Sequence, residues 1–170
     1  MKDLVNKLVK IKIRGYDYFI GILIDFGEEW ILLRNISGDY IIDGFRLINK
    51  KYILHINLVI NEPLNTITNL KHNNFKLDLN YKLNDTINLI TDFKKNKTLL
   101  FLSLNNDNLA FVGFIDDIYL KSLSLGELNS KGVLTGFKSN YKYDKIRIIE
   151  VGTDYLESLK IYLLHTQVLL

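Results

Sequence analysis

Gly21-Ile22-Leu23-Ile24-Asp25 has a counterpart 92 residues further on, Gly113-Phe114-Ile115-Asp116-Asp117. Each is an apolar run that opens on glycine and closes on aspartate. Such a run reads as a strand, and a glycine inside a strand marks a bulge or a close bend because it has no side chain to pack. Two further pairs of segments match in the same order. Asp43-Gly44-Phe45-Arg46-Leu47-Ile48 lines up with Asp144-Lys145-Ile146-Arg147-Ile148-Ile149 at a spacing of 101, and Tyr52-Ile53 with Tyr155-Leu156 at 103. The spacing grows only through short insertions at loops. One β-rich unit present twice is therefore the organising expectation, with Gly21 equivalent to Gly113, Ile48 to Ile149 and Arg46 to Arg147.

The flanks of the first run support a small all-β unit. Val9, Ile11 and Ile13 alternate with Lys10, Lys12 and Arg14, the period of a half-buried strand. Turn signals at Gly15-Tyr16-Asp17, Gly27-Glu28-Glu29, Ser37-Gly38-Asp39 and Asn49-Lys50-Lys51 mark off strands over 18–26, 30–35, 45–48 and 52–58, with 40–43 continuing extended before the fourth. A short amphipathic turn over 3–8 precedes them. In the second half, Asn84-Asp85-Thr86 is an N-cap signal, Ile87, Ile90 and Phe93 share a helix face, and Lys94, Lys95 and Lys97 suit a helix C-terminus. Strands are expected over 99–104, 109–115, 118–125, 132–137, 145–151 and 155–163, with a hairpin turn at 105–108. Glu62-Pro63 reads as a boundary. Asn-rich 61–82, in which Phe75, Leu77 and Leu79 alternate, reads as an edge strand or a linking loop.

The order of helix, strand, hairpin, glycine-bent strand, strands, tight turn and short final strand resembles the Sm-like or SH3-like small barrel. The resemblance is carried by Val9-Lys10-Ile11-Lys12-Ile13-Arg14-Gly15 and Gly21-Ile22-Leu23, and it extends more weakly over 84–163. It implies a mainly β fold of two tandem small antiparallel barrels with a short helix before each. Residues 1–60 would be the first barrel, 61–83 a linker or edge segment, and 84–170 the second. Buried faces should include Ile11, Ile13, Ile22, Ile24, Leu33, Leu47, Leu102, Phe114, Leu123 and Ile148. The two barrels should pack together, with continuous sheet between them, and the apolar runs 161–164 and 168–170 should be covered by this contact or by a second subunit. The Sm-like family reads RNA with an aspartate and asparagine near its third strand and an Arg-Gly pair at its last turn. This chain has Asp25-Phe26-Gly27-Glu28-Glu29-Trp30, Asn49-Lys50-Lys51 and Glu150-Val151-Gly152 there instead, so the implied RNA contacts are missing.

Composition narrows the function classes. The chain has 170 residues, 22 basic against 19 acidic, a net charge of +3 and no cysteine. Each half is nearly balanced, which is not the basic excess of a dedicated nucleic-acid binder. Thiolate chemistry is excluded, and no apolar run approaches the length of a bilayer. A soluble cytoplasmic protein is expected. His55, His72 and His165 lie apart and have no ligand spacing, so neither a metal nor a cofactor is expected. Asp116 and Asp117, adjacent on a strand, would face opposite sides. Arg46 and Arg147 fit cross-strand ion pairs, with Asp43 or Asp144 as partners. Lys138, Lys142, Lys145 and Arg147, interleaved with Phe137, Tyr141 and Tyr143, are the one basic-aromatic cluster suited to stacking single-stranded bases. Catalytic and nucleotide-binding motifs are missing. The expectation is thus a non-catalytic module, monomeric or dimeric, that binds another protein in an adaptor or immunity-like role. An Sm-like regulator binding RNA or single-stranded nucleic acid is the alternative.

Overall fold

The computed structural model describes residues 1–73, 80–105, 110–136 and 139–166. These form a mainly β protein built on a single ten-stranded antiparallel sheet that does not close on itself. The strands are β1 (Leu8–Ile13), β2 (Tyr18–Phe26), β3 (Trp30–Gly38), β4 (Ile41–Asn49), β5 (Ile53–Leu58), β6 (Leu100–Ser103), β7 (Ala110–Ile118), β8 (Ser122–Leu128), β9 (Asn140–Lys142) and β10 (Ile148–Val151). Three helices accompany them: α1 (Glu62–Asn73), α2 (Thr86–Lys95) and α3 (Asp154–His165). The spatial order is β5-β1-β2-β3-β4-β10-β6-β7-β8-β9. Each half of the sheet therefore places its fifth strand outside its first, and continuity between the halves comes from β4 against β10.

The glycine runs lie where their sequence suggests. Gly21 pairs with Asn35 and Gly113 with Glu127, each on the second strand of its half. Two residues on, the register shifts between Leu23 and Asp25 and again between Ile115 and Asp117, so a bulge recurs at the same 92-residue spacing. A Cβ at Gly21 would stand 2.7 Å from the Arg34 carbonyl oxygen, and one at Gly113 would stand 2.4 Å from that of Gly126. Neighbouring backbone, rather than an unusual φ, is what requires glycine at both.

The matches at 101 and 103 do not hold. Ile48 belongs to β4 and Ile149 to β10, which are neighbouring strands in register, Ile48 opposite Ile148. Tyr52 ends a 3-10 turn (Lys50–Tyr52), whereas Tyr155 is in α3. The 3-10 turn does have a counterpart, Tyr143–Lys145 before β10. Residues 155–163 are helical, not a strand. Thr153 caps them, accepting from the Leu156 N–H, and Leu156 and Leu163 turn inward together. Residues 62–73 are helical too, with Pro63 in the first turn, where its missing N–H costs nothing. The strand beside β8 is β9; within 132–136 only Leu134 forms a bridge, to Leu128 at the end of β8. Positions 75, 77, 79, 106–108 and 168–170 lie outside the described residues.

Two cores flank the middle of the sheet. One face packs Trp30, Leu32, Leu47, Leu100, Leu102 and Ile149 beneath α2, whose Leu89, Ile90 and Phe93 are buried. The opposite face packs Ile31, Leu33, Ile48 and Ile148 against Val9, Ile11 and Ile13, because the first half curls over itself. Strands buried on both faces need unbroken apolar runs, which Trp30-Ile31-Leu32-Leu33 supplies. Of the ten expected core residues eight are buried; Ile24 and Phe114 are half-buried. Leu163 is buried, but Ile161, Tyr162 and Leu164 are exposed. No helix among the described residues is long and apolar enough to cross a membrane.

Candidate functional site

Strand β5 ends the sheet. Its inner edge pairs with β1, from Val9 opposite Leu58 to Ile13 opposite Ile53. Among the described residues no strand pairs with its outer edge. The strand reads Ile53-Leu54-His55-Ile56-Asn57-Leu58, without lysine, acid or proline. Those are the devices by which sheet edges are commonly blunted against pairing. Ile56 and Leu58 stand opposite Ile11 and Val9, and paired residues project to one side, so both lie over the curled core. That core is closed, with Val9, Ile11 and Ile13 fully buried, but β5 leaves apolar side chains in solvent: Leu58 is 47% exposed, Leu54 at the register shift 54%, and Ile60 just beyond 92%. The strip runs about 20 Å, six residues of extended chain.

The other side of β5 is polar. The His55 ring lies 3.2 Å from the Tyr18 hydroxyl, and the Lys10 and Lys12 ammonium groups sit 4.2 and 5.0 Å from the Tyr18 ring centroid. At the far end of the sheet, β9 offers only three residues and an exposed Lys142, a short and charged edge. The two edges are thus unequal. β5 presents a backbone edge without a strand partner among the described residues, together with apolar side chains, which is what an added strand uses.

Three of the basic residues singled out by sequence are described, each in its own setting. Lys142 is exposed on β9. Lys145 lies 3.8 Å from Asp144 in the same 3-10 turn. The Tyr143 hydroxyl donates to the Tyr119 carbonyl at 2.8 Å, while burial pushes its pKa up. The Arg147 guanidinium lies 4.7 Å from the Tyr52 ring and donates to the Arg14 and Asn105 carbonyls, while the Tyr52 hydroxyl donates to the Asp144 carbonyl. Lys138 lies outside the described residues. Arg46 pairs with Glu150 at 2.6 Å across the β4–β10 seam, not with Asp43, which instead accepts from the Asp154 N–H at the start of α3. Asp117 meets Lys94 at 3.4 Å. His72 of α1 lies 3.3 Å from Arg34; burial and that guanidinium hold its pKa below the ordinary histidine range. Among the described residues no three histidine or acidic side chains converge as metal ligands would.

Sequence reasoning placed β5 correctly as a strand but missed its open side. The missing charge was legible in 53–58; the free edge was not, because it depends on the sheet failing to close. Comparison of the whole chain with protein families, with characterised proteins and with solved structures finds no match.

Proposed function

We propose that the protein is a non-catalytic binding module that captures a protein partner by adding an extended apolar segment of that partner to β5. Its two halves are read as a duplicated small-barrel unit. The shared strand order and the repeated glycine and bulge support that reading. The observation that carries the function is the uncharged β5 edge at the end of the sheet, with Leu54 and Leu58 about half exposed. Backbone hydrogen bonds would supply affinity, and the alternate side chains of the incoming segment would pack against the exposed Leu54 and Leu58.

The test is selection of peptides from a random displayed library, followed by amide hydrogen exchange of the complex. Peptides with alternating apolar residues are expected to emerge, to protect the amides of 53–58, and to lose binding to the Leu54→Lys, Leu58→Lys double variant. Failure to select any such peptide, or protection confined to other strands, would reject this function.

Nucleic-acid binding ranks second. The observation in its favour is Lys10, Lys12 and Tyr18 on one exposed face. Both lysines already lie against the Tyr18 ring, however, so a stacking base would have to displace them. An anisotropy titration with U-rich and mixed single strands at two salt concentrations separates the readings. Sub-micromolar affinity with a steep salt slope would favour nucleic acid.

A further inference from the structure

A cavity of about 400 Å³ opens where the turn after α2, the middle of β4, the end of β10, and α3 come together. Its floor is aromatic: Phe45, Tyr81 and Phe114 are each half-buried there. Its rim carries Lys97 from the turn after α2 and Lys160 from α3, with Glu157 one turn before Lys160. Among the described residues neither lysine is in an ion pair. An aromatic floor beneath two unpaired cations is the chemistry that holds a flat ring bearing an anionic group.

Lys97 adds an independent observation. Helix α2 ends with the Lys97 N–H donating to the Lys94 carbonyl at 3.1 Å and the Thr98 N–H donating to that of Phe93 at 3.0 Å. This closure places Lys97 at φ +47°, the left-handed position that glycine ordinarily fills after a helix. A lysine there is strained, whereas glycine would not be. Dipole compensation does not account for it, since Lys94 and Lys95 already supply charge to the last turn. Strain kept at the mouth of a cavity points to use of the side chain.

We infer that this cavity binds a planar aromatic anion of mononucleotide size, with the ring on Phe45, Tyr81 and Phe114 and the anionic group between Lys97 and Lys160. Glu157 is placed to accept from hydroxyl or amino groups of the ligand. The site is separate from β5, and its existence does not depend on strand addition there.

Calorimetric titration of the full chain with AMP, adenosine and inorganic phosphate tests the assignment. AMP should bind saturably at one site, with adenosine and phosphate each at least tenfold weaker, since each lacks one half of the ligand. Lys97→Gly should unfold at a temperature equal to or above that of the parent chain and yet bind AMP about tenfold more weakly. Lys160→Gln should show the same loss. No saturable AMP binding in the millimolar range, or AMP binding that neither substitution weakens, would overturn the site. Because Lys97→Gly relieves strain, lost binding in that variant cannot be put down to misfolding.

Discussion

Thr86 joins the two halves of the chain through one hydroxyl. It accepts from the Trp30 indole N–H at 2.9 Å and donates to Glu29 at 2.5 Å, while Glu29 also accepts the Thr86 N–H at 2.8 Å. Donor and acceptor capacities are both used, so a buried indole of β3 and the first turn of α2 are satisfied together. Thr86→Val keeps the shape and leaves the indole N–H without a partner. It is expected to cost about 1–3 kcal/mol, the desolvation of an unpaired buried donor. Thr86→Ser, which keeps the hydroxyl, should retain most of the stability. Urea denaturation followed by fluorescence of Trp30, the only tryptophan, reads both. An equal midpoint for valine and serine would show that the hydroxyl is not what matters.

Among the elements, the second strand of each half is the most constrained. At Gly113 a methyl group would meet the Gly126 carbonyl at 2.4 Å, so Gly113→Ala must part β7 from β8. A loss of about 1–3 kcal/mol is expected in thermal or denaturant unfolding, as for other overpacked sites. These strands were also the most legible in sequence: Tyr18–Phe26 and the glycine-aspartate run at 113–117 follow from alternation, turn residues and local repetition. The false match of 43–48 with 144–149 has a physical origin. Phe45-Arg46-Leu47-Ile48 and Ile146-Arg147-Ile148-Ile149 look alike because β4 and β10 adjoin and serve the same two cores. Similar burial selects similar residues whether or not the strands are equivalent. Residues 155–163 resist reading for another reason. Ile161, Tyr162 and Leu164 fill the outward positions of α3 and erase the polar face that would have marked a helix. The candidate docking edge was legible as composition, and the aromatic cavity not at all, since Phe45, Tyr81, Phe114 and Lys97 meet only through the fold.

At the scale of the whole molecule the two halves are not independent. Trp30, Leu32 and Leu47 share one core with Leu100, Leu102 and Ile149, and the Arg46–Glu150 pair locks the seam between them. A unit of about 60 residues is marginal alone, so residues 1–60 as a fragment should lack a cooperative transition. The full chain should unfold in one step, with Trp30 fluorescence and far-ultraviolet dichroism coinciding. Separated transitions would mean that each half carries its own stability. The strand order has a further consequence during synthesis. Strand β10 sits in the middle of the finished sheet, yet its first residue is made 99 positions after the last residue of β4. At ribosomal speed β4 waits on the order of 5–20 s for its neighbour. Through that interval a nascent chain displays a nine-residue strand edge, and the β10 of an adjacent chain on the same messenger can fill it. Crowded translation should therefore yield interlocked dimers that dilute refolding of the purified protein does not.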